Sequence, residues 1–107
     1  MRIFLDECVV VAFRRELPVL SVETAKSAGL LGLNNGALMR AVSGRCDVLV
    51  TVDANLPFQQ NVSLLPFAIV VLRAKSNKVE DLRPLVPALV AQLGSAKPGH
   101  AYVISAP

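Results

Sequence analysis

The segment Val48-Leu-Val-Thr-Val-Asp-Ala-Asn-Leu-Pro57 decides how this chain is read. Its opening run, from Val48 to Val52, is apolar or β-branched at every position. Half-exposed strands alternate apolar and polar residues, whereas a strand covered on both faces has no reason to. The run is therefore read as a buried strand of a parallel sheet, and it delivers one carboxylate, Asp53, to the edge of a loop. Three roles are open to Asp53: metal ligand, phosphate acceptor or turn former.

Working outward, Phe67 to Arg73 is a second near-continuous β-branched run, and Arg2 to Leu5 and Val19 to Val22 are shorter strand-like segments. His100 to Ser105 reads as a fifth strand at an edge. Helical patterns lie between them. Val9 to Leu17 places Val10, Phe13 and Leu17 on one side and Arg14 and Arg15 on the other, and Pro18 stops it. Asn34 or Asn35 opens a compact helix with Leu38, Ala41 and Val42 inward, ended by Gly44. Asn77 and Glu80 have the spacing of a capping box for a last helical stretch, which Pro84 and Pro87 should kink or split before Gly94. The order is strand, helix, strand, helix, strand, loop, strand, helix, strand. Such alternation predicts a three-layer α/β/α sandwich with a mainly parallel sheet of four to five strands and right-handed crossovers.

At 107 residues the chain is the size of one domain, 1–107, with enough length for a core of its own. A hydrophobic share of 53% and a mean hydropathy of +0.53 are high for that size. They fit a sheet buried on both faces, or an apolar surface that would make the chain a homo-oligomer. No apolar stretch approaches the ~18 residues of a membrane span. Met1 leads directly into a strand-like segment containing Asp6, so no secretory signal is expected. Cys8 and Cys46 lack metal-site or redox-pair spacing and are read as reduced thiols, which points to the cytoplasm. A net charge of +3 is compatible with a polyanionic partner, but without Trp and with a single Tyr no base-stacking platform is expected.

In an open parallel sheet, ligands bind at the carboxyl ends of the strands where strand order reverses. That rule selects Asp6 and Glu7, after the first strand, and Asp53, after the third. If those strands are neighbours, their ends lie about 4.8 Å apart in the pairing direction, and two carboxylates meet in one volume. A cation between them relieves the repulsion, and hard oxygen ligands suit Mg2+ or Mn2+. Adjacent strand residues face opposite ways, so Asp6 is the stronger metal candidate, with Glu7 beside it or serving the next helix through its dipole. Asn35 and Asn55 offer neutral oxygens, against the simpler roles of cap and Asx-turn; Thr51 offers a hydroxyl.

Several blocks, Met1 to Cys8, Gly29 to Ala41, Asp47 to Asn61, Ala68 to Leu89 and Pro98 to Ser105, resemble the small PIN-like proteins found widely in bacteria. These are distant relatives of the PIN-domain ribonucleases that act as toxins in toxin–antitoxin pairs. The resemblance implies a PIN-like fold, an acidic Mg2+ or Mn2+ site, RNA as substrate and an antitoxin-like protein partner. Asp6, Glu7 and Asp53 match the acidic positions. Asn55 stands where many relatives carry a second acid, Ala37 where members often have Glu, and Val9-Val10 where Leu-Pro is usual. Asp6, Asp53 and Asn55 would hold the metal, with Glu7 in support, and Arg14, Arg15, Arg40 and Arg73 would meet the RNA backbone. The missing acids leave a second expectation, a catalytically inactive binding or dimerisation module. A third is a receiver-like phosphoacceptor domain, in which Asp53 is phosphorylated and Lys97-Pro98 is the basic partner.

Overall fold

The structure is a computed structural model that describes residues 1–17 and 21–106. Five strands form one sheet: β1 (Arg2–Leu5), β2 (Ser21–Thr24), β3 (Val48–Thr51), β4 (Ala68–Arg73) and β5 (Ala101–Ser105). Their order is β2-β1-β3-β4-β5, and every neighbouring pair is parallel. Four α-helices accompany them: α1 (Asn35–Val42), α2 (Leu56–Gln59), α3 (Val79–Leu82) and α4 (Val86–Leu93). Val11–Glu16, Val62–Leu64 and Arg83–Leu85 are 3-10 segments. The result is a three-layer α/β/α sandwich, and none of its helices is long and apolar enough to cross a membrane, among the described residues.

The uninterrupted apolar runs are explained by the two layers. On one face Ile3, Leu5, Val48, Val50, Val70 and Leu72 pack against Phe13 of the first 3-10 segment and Leu82, Leu85, Leu89 and Leu93 of the last helical stretch. On the other, Phe4, Leu49, Ile69 and Val71 meet Leu38, Met39 and Val42 of α1 and Leu56 of α2. All four residues of β3 are buried. Alternate side chains feed opposite cores, so a polar residue at either phase would have to be desolvated.

Several local expectations are corrected. The stretch after β1 is a 3-10 segment rather than a regular helix, although Phe13 and Leu17 are inward and Arg14 and Arg15 exposed as its pattern requires. The second strand was expected from Val19 to Val22 and is observed at Ser21–Thr24; Pro18, Val19 and Leu20 lie outside the described residues. Asn34, not Asn35, caps α1: its Oδ1 accepts the amide of Ala37 at 2.8 Å. The Asn77–Glu80 capping box does not form. Lys78 occupies the cap position of α3, and Asn77 instead donates its side-chain amide to the carbonyl of Cys8. Pro84 and Pro87 divide the last helical stretch as the missing amide hydrogens dictate, into α3, a 3-10 turn and α4.

The crossovers are not all of one hand. From β1 to β2 the chain steps one way across the sheet behind Phe13; from β4 to β5 it steps the opposite way on that same face, behind Leu82, Leu85 and Leu89. Two crossovers on one face that run in opposite directions have opposite hands. The other two, through α1 and α2 on the far face, share the hand of the first, so β4-to-β5 differs in hand from the other three and the crossovers are not uniformly right-handed as expected. Among the described residues no helix then covers the far face of β5, and Val103 there is 56% exposed.

Candidate functional site

β1 and β3 are paired neighbours with Leu5 opposite Val50, so the residues that follow them emerge side by side. The pairing runs one residue further, with the Asp6 amide donating to the Val50 carbonyl at 2.9 Å. Strand order reverses here: β1 connects outward to β2, while β3 continues to β4 and β5. Asp6 and Asp53 thus flank the switch point of the sheet, where such folds open a crevice.

Thr51 links them. Its side chain is fully buried, and its hydroxyl donates to Asp6 Oδ2 at 2.8 Å while accepting the Asp53 amide at 3.0 Å. The other oxygen, Asp6 Oδ1, accepts the amide of Glu7 at 2.8 Å. Asp6 itself is only 8% exposed, and these bonds replace the water that its carboxylate loses. Cys8 Sγ lies 3.3 Å from Thr51 Oγ1 and 3.5 Å from Asp6 Oδ2. Burial first of all, with the Asp6 charge adding to it, pushes the Cys8 thiol above its ordinary range. Cys8 is therefore a protonated neighbour of the carboxylate, not a thiolate.

Asp53 closes an Asx-turn, its Oδ1 accepting the amide of Asn55 at 2.9 Å. The turn expected of the Asn55 side chain is thus made by Asp53, and Asn55 contributes its backbone. Asn55 is exposed and stands ahead of α2 without a side-chain cap bond. Glu7 is exposed and its Oε1 accepts the amide of Gly32 at 3.1 Å. It pins the Leu31–Leu33 loop rather than the following 3-10 segment, whose first turn contains no acid. Asn35 reaches sideways to Gln59 at 3.0 Å, tying α1 to α2.

Of the four arginines expected to meet RNA, Arg14 and Arg15 lie exposed on the first 3-10 segment, and Arg40 on the last turn of α1. Arg73 ends β4 and lines a cavity of about 360 Å3 together with Val52 and Ala54, the two neighbours of Asp53 in the chain. Sequence reasoning did not single out Cys8 or Asn77 for this region. The signal for Cys8 was its place two residues after Asp6; for Asn77 there was none, because its bond to Cys8 spans 69 positions.

The donor set can be compared with the needs of Mg2+ or Mn2+. Among the described residues no group of three or more His, Cys, Asp or Glu side chains is arranged to hold a metal ion. Asp6 Oδ1 keeps one lone pair, and Asp53 Oδ2 takes no hydrogen bond from the described residues. Mg2+ is commonly bound through one or two carboxylates and completed by water and substrate phosphate, and these two oxygens are the ones the acids leave available to it. The receiver-like constellation is not assembled. Lys97 precedes β5 and so lies at the amino end of the sheet, opposite Asp53, and β4 ends on Arg73-Ala74 without a hydroxyl.

Compared with protein-family models, curated proteins and solved structures, the chain matches none.

Proposed function

We propose that the chain is a PIN-like protein whose switch-point carboxylates, Asp6 and Asp53, act on RNA phosphodiesters with a weakly held Mg2+ or Mn2+. The observation that carries this reading is the Thr51 hydroxyl, which binds the Asp6 carboxylate and the Asp53 amide at once. A buried hydroxyl used in this way holds the Asp6 carboxylate beside the backbone that carries Asp53, so both acids emerge from the same pair of strand ends. Asp6 and Asp53 would hold the ion, with Asn55 beside them on the exposed side. When bound, such an ion stabilises charge on a phosphate and acidifies a water. The chain's own residues orient and bind: Thr51 holds Asp6, Asp53 shapes the loop into α2, and Arg73 supplies positive charge for the phosphate backbone. With only two carboxylates, affinity for the ion depends on the substrate's own oxygens, so activity should be weak and should rise with Mn2+.

The test is cleavage of a mixed-sequence single-stranded RNA in Mn2+, with Asp53→Asn as the control. Cleavage by the wild type that is lost in the variant and in EDTA supports the reading; cleavage that survives in the variant, or none at any Mn2+ concentration, refutes it.

A second reading has its own support. Phe58 is 89% exposed, Leu64 77% and Val103 56%, and Val103 sits on the uncovered face of an edge strand. Such a surface suits a binding or dimerisation module, with a second copy or an antitoxin-like protein as partner. Sedimentation over a range of concentrations separates the two: a stable dimer without Mn2+-dependent cleavage favours the module.

A further inference from the structure

The cavity at the carboxyl ends of β3 and β4 is not needed to hold a metal, yet it is built against the same loop. It measures about 360 Å3, near the lower end of small-molecule sites (~300–1,000 Å3), so it suits one small unit rather than a length of polymer. Val52, Ala54 and Leu72 give it apolar walls, and its polar side chains are Arg73, Ser76 and Asn77.

These polar groups are not equally available. Ser76 donates its hydroxyl to Asp81 and accepts the amide of Lys78 at 3.1 Å, so it stiffens the loop and has no proton to offer. Asn77 donates its side-chain nitrogen to the Cys8 carbonyl, an acceptor, and this settles which end of the amide is which. Its carbonyl oxygen and its second N–H take no bond from the described residues, so Asn77 presents both an acceptor and a donor. Arg73 presents a guanidinium, the group best matched to a phosphate's paired oxygens. The cavity therefore offers apolar walls for a flat ring, a side-chain amide for the ring's polar edge, and a cation for an attached phosphate.

We infer that this cavity is a single-nucleotide subsite, which seats one base and its phosphate beside Asp53. The inference rests on the reading of Asp6 and Asp53 as a site for RNA phosphodiesters, and it specifies which part of the RNA is gripped. Asn77 ties the subsite to the acidic cluster, because its partner Cys8 also touches Thr51 and Asp6.

The test is titration of 15N-labelled protein with AMP, CMP, UMP, adenosine and inorganic phosphate in EDTA, so that no metal takes part. AMP, CMP and UMP should give saturable shifts at Ala54, Ala74 and Asn77. Adenosine and phosphate, each carrying half of the recognition, should bind at least about tenfold more weakly than AMP. Ala54→Trp, an exposed position whose larger ring fills the cavity, should abolish the AMP shifts, and Arg73→Gln should reduce AMP to the level of adenosine. The inference is overturned if no nucleotide gives saturable shifts there, if adenosine or phosphate alone binds as tightly as AMP, or if Ala54→Trp binds AMP as the wild type does. A separate Mn2+ titration of the wild type keeps the two readings apart: nucleotide binding in EDTA without Mn2+ binding sustains the subsite and removes the metal centre, and Mn2+ binding without nucleotide binding does the reverse.

Discussion

Thr51 Oγ1 sits 2.8 Å from Asp6 Oδ2, joining residues 45 positions apart across the β1–β3 pair. The same oxygen accepts the Asp53 amide. Thr51→Val keeps the shape and removes both bonds, leaving a buried carboxylate oxygen and an amide short of partners. We predict a loss of about 1–3 kcal/mol in urea unfolding, with Thr51→Ser losing less than half as much because it keeps the hydroxyl. Equal losses in the two variants would show that the methyl packing, not the hydrogen bonds, is what matters.

Asp47 makes a different link, at the amino end of the sheet. It accepts the Arg2 amide at 2.7 Å and faces the Arg2 guanidinium at 3.3 Å. The backbone bond, reinforced by the guanidinium, holds the Asp47 carboxyl below its ordinary value of 3.8. On acidification the unfolded chain takes up this proton first. The contribution is therefore complete above about pH 4 and lost as pH falls through the native value. Both side chains are about half exposed, so the effect is that of a surface pair, ~0.2–1 kcal/mol. Asp47→Asn should lower stability above about pH 4 by that amount, flatten the acid limb of a stability–pH curve below it, and leave the slope between pH 6 and 8 unchanged.

The thiols should resist alkylation at pH 8. Burial pushes Cys46 up to about 12, and burial also raises Cys8. Iodoacetamide should modify Cys8 slowly and Cys46 not at all in the native protein, and both promptly in guanidinium. Because the native thiols hold their protons longer than the unfolded chain's, their contribution to stability is complete below the ordinary value of 9.0 and declines as pH rises beyond it. Rapid labelling of native Cys46 would contradict its packing beneath α1.

Two glycines separate backbone strain from steric contact. Gly44 and Gly99 have φ of 81° and 79°, in the left-handed region. A Cβ on Gly44 meets nothing within 4 Å, but one on Gly99 meets the Ser63 carbonyl at 3.2 Å. Gly44→Ala should cost ~1–2 kcal/mol from the backbone alone, and Gly99→Ala measurably more in the same thermal melts. A smaller cost for Gly99 would mean that the turn into β5 yields easily.

Much of this architecture was legible because buried parallel strands leave an unmistakable residue pattern. Residues 48–50 and 68–72 can serve two cores only by being apolar throughout, and that constraint is local. The elements misjudged are those held by few local signals. α2 has one buried anchor, Leu56, and a proline in its first turn, so no periodicity announces it. The hand of the β4-to-β5 crossover depends on Leu82, Leu85 and Leu89 choosing the face already occupied by Phe13, a choice made by tertiary packing. At the site, strand ends placed Asp6 and Asp53, because topology follows from strand order. The Thr51 bridge, the Asx-turn of Asp53 and the reach of Asn77 to Cys8 were not legible, since each depends on which of several equivalent donors comes within about 3 Å after folding.

The most direct measurement is calorimetric titration of Mn2+ into the wild type, Asp6→Ala and Asp53→Ala, each first shown to be folded. If the two carboxylates share an ion, the wild type binds saturably and each variant binds at least about tenfold more weakly, a change of ~1.4 kcal/mol. Negligible binding in all three, or the same binding in all three, would contradict a shared metal site at the switch point.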